Sequence, residues 1–168
     1  MNFLPWLSSG FSEYNQKGKA KKRKNLRKKV FFNASVIIAG ILSPSGGSGK
    51  LLAMVKVGTL NGEISEIIVD EVLQHASKTK KKKDVLEKQI GTIFSNISEA
   101  PKEVSVRRYG KIVTDFGDAH VLASCKERGV DYLLTLDRKH LLILRDNIKD
   151  FKILTPGEFL EKTFTFNK

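Results

Sequence analysis

The feature that most constrains the fold is the alternation of short apolar segments with longer helical patterns from Val30 onward. Short apolar runs bounded by turn residues are typical of buried strands, whereas apolar residues repeating every three or four positions indicate helices. When the two alternate along a chain, the strands form a parallel sheet with helices on both faces. The sequence therefore predicts an α/β fold, a three-layer α/β/α domain with a parallel sheet of four or five strands.

The same patterns predict where each element lies. The predicted strands are 30–32, 64–69, 103–106, 132–136 and 152–154. The predicted helices are 35–42, 50–59, 70–80, 84–96, 118–128 and a last helix that begins at Pro156. Gly129 is expected to end the helix before it, because glycine adopts the left-handed conformation common at helix ends. Proline is tolerated at the first position of a helix.

Positive charge is concentrated at the start of the chain. The net charge is +12, and residues 1–29 contain nine Lys or Arg and one acid, which makes +8. A self-repelling segment without apolar periodicity predicts a disordered arm, with the folded domain at 30–168. Such an arm attracts phosphate polyanions, so it could bind nucleic acid or an anionic membrane surface. The alternatives are a solvated tail without a role and a misassigned start site.

Three features predict an intracellular, cytoplasmic protein. No apolar run approaches the roughly 20 residues that span a bilayer. The apolar start is not preceded by basic residues, which is the order opposite to that of a secretory signal. Cys125 is the single cysteine, so the chain cannot form an internal disulfide.

Polar residues follow several predicted strands in a pattern that indicates a metal site. Asn33 directly follows strand one and Asp137 directly follows strand four. Glu71 opens the helix after strand two, and Asp118 lies in the first turn of a later helix. Ligands bind at the carboxyl ends of the strands in an open parallel sheet, so these side chains should converge. Oxygen ligands suit Mg²⁺ or Mn²⁺, and Asp115 is either a further ligand or the N-cap of the Asp118 helix.

Four segments carry a resemblance to a known family. They are VFFNASVIIAGILSPSGG (30–47), VDEVLQHA (69–76), DFGDAHVLASC (115–125) and YLLTLDRKHLL (132–142). Together they resemble the PIN-domain family, metal-dependent ribonucleases that include the VapC-type bacterial toxins. The most specific part is DAHVLA followed by a strand that ends in TLDRKHL. The resemblance covers roughly 30–161, most of the chain.

The resemblance implies a Mg²⁺- or Mn²⁺-dependent endoribonuclease that acts on RNA. It implies that the metal is held by Asp118 and Asp137, with Asp115 as the candidate further ligand. As a toxin, such a protein would have a separate antitoxin protein as its partner and could form a homodimer. Polar and basic residues near the expected site are candidates to contact nucleic acid: Ser35, Arg107, Arg108, Arg138 and Lys139.

Two positions depart from the family pattern. Asn33 stands where the family has its first aspartate, and an uncharged amide weakens the binding of hard cations. His75 stands in register with the family's second acid, whereas Glu71 lies four residues earlier on the same helical face. Imidazole at His75 would favour softer ions. Asn33, Glu71 and His75 are therefore candidate catalytic residues, and the alternative function is a catalytically silent PIN-like module that binds RNA or a protein.

Overall fold

The computed structural model describes residues 28–164. The predicted basic arm lies outside the described residues except for Lys28 and Lys29. Lys29 is already the first residue of a strand, and the Lys28 ammonium pairs with Asp131 at 2.9 Å. Lys28 and Lys29, the last two residues of the predicted arm, therefore take part in the structure of the domain.

The predicted parallel sheet of four or five strands is confirmed. Its strands are β1 (Lys29–Phe32), β2 (Asn61–Ser65), β3 (Ile97–Ser98), β4 (Tyr132–Leu134) and β5 (Lys152–Leu154). They lie in the order β3-β2-β1-β4-β5, and all four pairings are parallel. The chain runs outward from β1 in one direction and then returns to the other side of β1 through β4. The boundary between β1 and β4 is therefore the switch point where an open α/β sheet forms its ligand crevice.

Eight α-helices occur within residues 28–164, together with a short 3₁₀ turn at Leu142–Leu144. The helices are α1 (Ala34–Leu42), α2 (Gly47–Lys56), α3 (Glu66–Gln74), α4 (Ala76–Thr79), α5 (Lys83–Ile93), α6 (Glu103–Tyr109), α7 (Phe116–Arg128) and α8 (Pro156–Phe164). Successive residues of a strand point to opposite faces, and both Phe31 and Phe32 are fully buried. The sheet is therefore covered on both faces, as the α/β/α prediction requires.

Within the described part of the chain, no single helix is long and apolar enough to cross a membrane. The helices α1 and α2 reach that length and apolarity only as a pair, which is bent by 99°.

The prediction of a strand at 103–106 was wrong. This segment begins helix α6, and the third strand is the two-residue β3 just before it. Val106 and Tyr109 are buried whereas Val104 is 73% exposed, which is the three-residue spacing of one helical face. Glu103 in the first turn and basic residues in the last turn suit the helix dipole.

Strand two was predicted at 64–69 but ends at Ser65. The following residues, beginning at Glu66, form helix α3, which buries Ile68 and Val72 on one face. Three consecutive apolar residues at 67–69 fit either a buried strand or a helix, so periodicity over so short a run does not distinguish them. The correction places Glu71 in the second turn of α3.

The pairing of β1 with β4 determines which side chains meet at the switch point. Phe32 is paired with Leu134, and the Asn33 N–H donates to the Leu134 carbonyl at 3.0 Å. Asn33 and Thr135 therefore leave the sheet side by side. Two residues later the chain reaches Asp137, which brings the turn after β4 over the end of β1.

Candidate metal centre

A cavity of about 420 Å³ lies between α3, the start of α7 and the turn after β4. Five carboxylates from these three elements line it, and among residues 28–164 no lysine or arginine does. Its lining residues are Ile67, Asp70, Glu71, Gln74, Asp115, Gly117, Asp118, Asp137 and His140. A concave site with so many acids and no lysine or arginine has a negative potential that attracts cations.

Helix α3 contributes Glu71, which is half-buried in the cavity wall. Burial raises the pKa of Glu71, and the charges of Asp118, Asp115 and Asp137 raise it further, while nearby His75 opposes them. Carboxylates from three separate elements thus lie close enough to repel one another. A bound cation would relieve this repulsion.

The start of α7 contributes Asp115 and Asp118. The Asp115 Oδ1 accepts hydrogen bonds from the backbone N–H groups of Gly117 at 2.7 Å and Asp118 at 3.4 Å, which confirms the predicted N-cap. Because Asp115 also lines the cavity, its role as a metal ligand stays a prediction. Burial, followed by the charges of Asp115 and Asp137, raises the pKa of Asp118 to about 6.

The turn after β4 contributes Asp137 and His140. The Asp137 Oδ1 accepts from the backbone N–H groups of Lys139 at 3.0 Å and His140 at 2.9 Å, while its Oδ2 lies 3.0 Å from the His140 Nδ1. Burial tends to raise the pKa of Asp137, but these hydrogen bonds outweigh it and lower the pKa. The same hydrogen bond to Asp137, with the charge of that carboxylate, raises the pKa of His140.

Asp118, Asp137 and His140 form the group best placed to hold an ion. Each offers one ligand atom, and these three atoms all lie within 4.8 Å of one another. Two carboxylates suit Mg²⁺ or Mn²⁺, and an added imidazole suits Mn²⁺ and softer ions, so the donor set fits a divalent metal. Sequence reasoning missed His140, although its position three residues after Asp137 in TLDRKH was a usable signal.

Asn33 lies beside this group but is not among the lining residues of the cavity. It is only 6% exposed, and its Nδ2 donates to the Thr135 Oγ1 at 3.0 Å. The same hydroxyl oxygen accepts from the Asp137 N–H at 3.1 Å. The Asn33 side chain therefore supports the Asp137 turn through Thr135.

His75 and Ser35 have partners of their own near the site. The His75 Nδ1 donates to the Glu71 carbonyl at 2.9 Å, just past the end of α3, and the ring is not among the cavity's lining groups. The Ser35 Oγ accepts from the Leu136 N–H at 3.1 Å, which holds the start of α1 against the turn that carries Asp137. The structure brings Glu71, not His75, into the cavity from α3.

The predicted RNA-contacting basic residues fall into two groups. Arg138 and Lys139 are exposed on the Asp137 turn, beside the cavity. Arg107 and Arg108 are exposed in the last turn of α6, where Arg107 pairs with Glu103 of the same helix. The first pair is therefore the better placed to meet a phosphate at the acidic cavity.

A family model described as the PIN domain matches residues 29–139, from the first strand to the turn that follows β4. The chain belongs to the PIN domain family. PIN domains are generally nucleases and usually use divalent metals, so the chain has a nuclease-like scaffold on which RNA is the suggested substrate. A search of curated proteins found no match. Membership of the VapC subgroup stays a prediction.

The raised pKa of Asp118 predicts a pH-dependent stability in the metal-free PIN domain. A carboxyl whose folded pKa lies above its ordinary value of 3.8 destabilises the fold once it ionises, so stability falls as the pH rises from about 4 through about 6. Asp118→Asn is therefore expected to raise the melting temperature at about pH 8, in chelator, by about a few degrees. Near pH 4 the wild type and Asp118→Asn should have the same melting temperature. A lower melting temperature for the variant at pH 8 would contradict this reading.

Proposed function

We propose that this protein is a divalent-metal-dependent ribonuclease whose metal is held by Asp118 and Asp137. The observation that supports this most is that acids from α3, α7 and the turn after β4 line one cavity beside the sheet's switch point. They are far apart in sequence. Burial, and after it the charges of the neighbouring acids, raises the pKa of Glu71 and Asp118. A protein without a cation to bind would gain stability by losing these charges.

When bound, a divalent ion supplies positive charge for the phosphodiester oxygens and acidifies water. The carboxylates of Asp118 and Asp137 would hold the ion in the cavity. Glu71 lines the same cavity from α3, and its raised pKa suits it to accept, at a carboxylate oxygen, a proton from the attacking water. Water would attack the phosphorus, the ester P–O bond would break, and the leaving sugar oxygen would take a proton from solvent, so the chain would form no covalent intermediate.

Substrate binding in this proposal depends on the exposed cations near the cavity. Arg138 and Lys139 lie next to Asp137 in sequence and are exposed. They would hold phosphates on either side of the scissile bond without reading the bases. Ser35 would contribute by holding the Asp137 turn in place. A role as a VapC-like toxin, with an antitoxin chain and a homodimer, rests on the sequence resemblance alone.

A second candidate is a silent PIN module that binds RNA or a protein partner. It is favoured by Asn33, which replaces a carboxylate with a buried amide whose Nδ2 bonds Thr135. Loss of one ligand charge weakens hard-cation binding. In this case the fold and the basic surface would persist while cleavage would not.

Cleavage of a mixed-sequence single-stranded RNA by the full chain distinguishes the two candidates. The ribonuclease is expected to yield products in Mn²⁺ or Mg²⁺ and none in chelator. Metal-independent, salt-sensitive RNA binding without cleavage in either ion would instead support the silent module. Products that form equally in chelator would contradict the metal centre.

A further inference from the structure

We propose that His140 is a direct metal ligand that makes this centre prefer first-row transition ions such as Mn²⁺ over Mg²⁺. The inference rests on the proposed metal centre of Asp118 and Asp137 and specifies which ion it takes. His140 lies one residue beyond the part of the chain that matches the PIN family model. The matched segment therefore does not include His140.

The turn after β4 already presents His140 for binding. The Asp137 Oδ1 is occupied by two backbone N–H groups, so the Oδ2 is the oxygen left for a cation. That oxygen lies 3.0 Å from the His140 Nδ1. An ion bound by both the Asp137 Oδ2 and the His140 Nδ1 requires that this nitrogen release its proton to solvent. The backbone of the turn does not have to move.

The third donor comes from a different element, the helix α7. Asp118 projects from the first turn of α7, and its ligand atom lies within 4.8 Å of those of both Asp137 and His140. An ion that reaches all three joins α7 to the β4 turn. Ligands drawn from two separate elements are what distinguish this group from a local acidic turn.

The chemistry of the set explains the expected preference. Asn33 is an uncharged amide whose Nδ2 donates to Thr135, so the residue after β1 supplies no negative charge to the metal site. The nitrogen of His140 takes the place of the metal ligand that an acid at position 33 would provide. Affinity at nitrogen-containing sites rises along the first transition row from Mn²⁺ to Cu²⁺, whereas Mg²⁺ prefers oxygen and retains several waters. His140 should therefore add affinity for Mn²⁺, Co²⁺ or Zn²⁺ and little for Mg²⁺.

A positioning role is the competing explanation. The ring could serve only as a hydrogen-bond donor that orients the Asp137 Oδ2. Replacement by Asn, which also carries a donor, would then leave binding nearly unchanged, and replacement by Phe would weaken all ions alike. His140 is 52% exposed, so both substitutions should leave the fold intact.

The test is titration calorimetry of the full chain with Mn²⁺, Zn²⁺ and Mg²⁺, together with the visible absorption of bound Co²⁺. His140→Asn and His140→Phe are each expected to lower Mn²⁺ and Zn²⁺ affinity by at least about 100-fold, which is more than the roughly 10- to 100-fold that the loss of an outer group costs. Both should change Mg²⁺ affinity less than about threefold and weaken the Co²⁺ bands. Asp84→Asn is the control, because Asp84 is an exposed acid on α5 that does not line the cavity, and its affinities should equal the wild-type values.

Two results would overturn the inference. If the His140 variants lose equal affinity for Mg²⁺ and Mn²⁺, or if His140→Asn loses no affinity, His140 is only a positioning residue. Asp118→Asn separates this failure from that of the proposed function. If Asp118→Asn loses binding while His140→Asn retains it, only the His140 inference is wrong. If Asp118→Asn also binds like wild type, or the wild type binds no divalent ion, the metal centre itself is wrong.

Discussion

Asp118→Asn is expected to reduce metal-dependent RNA cleavage by at least about 100-fold, because a direct ligand should matter more than the outer groups whose loss costs 10- to 100-fold. The substitution keeps the size of the side chain and removes its charge. The pKa of Asp118 is raised to about 6 by burial and by the charges of Asp115 and Asp137, so a bound cation would stabilise its ionised form. Initial rates on single-stranded RNA in Mn²⁺ measure the effect.

The matched control for this experiment is Asp84→Asn. Asp84, like Asp118, is an acid in the first turn of a helix, but it is exposed on α5 and does not line the cavity. Any general effect of removing an acid from a helix start appears in both variants. Cleavage by Asp118→Asn at the wild-type rate would rule out a catalytic metal at this cavity.

Asn33→Asp is expected to destabilise the metal-free protein by about 3 kcal/mol, because it leaves a charge uncompensated at a position that is 6% exposed. The new carboxylate would lie near Asp137, to which Asn33 is linked through the Thr135 hydroxyl. Mn²⁺ is expected to recover more of the free energy of unfolding in Asn33→Asp than in wild type, since added ligand charge strengthens cation binding. Urea unfolding in chelator measures the loss of stability, and urea unfolding in Mn²⁺ measures how much of it the ion recovers.

Asn33→Ala separates the new charge from the lost amide. It removes the hydrogen bond to Thr135 without adding a carboxylate, so Mn²⁺ should stabilise it no more than it stabilises wild type. If Asn33→Asp cleaves RNA and the wild type does not, the wild-type protein has an intact scaffold but is catalytically silent. An equal Mn²⁺ effect in all three proteins would show that the end of β1 does not contribute to the centre.

Several elements were predictable because their signals are local. The helix that contains Asp118 is capped by the Asp115 carboxylate, and Gly129 ends it with a φ of 59°. β5 and the start of α8 at Pro156 also occur where they were predicted. In each case the signal is a cap, a glycine, a proline or a clear apolar period, which acts through residues close in sequence.

Other elements depended on contacts distant in sequence. The segment at 103–109 has apolar residues compatible with a strand, and it forms α6 because Val106 and Tyr109 pack on one face into the core. α6 packs against α7, and the remaining strand pairing with β2 is made by the two residues of β3. A seven-residue pattern contains no information about which neighbour will cover it.

For this protein, the sequence by itself predicted the family and the parallel α/β/α architecture, and it identified the acids at 71, 118 and 137 as candidate site residues. Tertiary structure alone decided that Glu71 and not His75 lines the cavity, that Asn33 bonds Thr135, and that His140 lies beside Asp137 and Asp118. The physical reason is that motifs and caps act within one or two turns of chain, whereas a ligand set is defined by distances of a few ångströms between elements. The pairing of β1 with β4 and the positions of α3 and the start of α7 around one cavity set those distances.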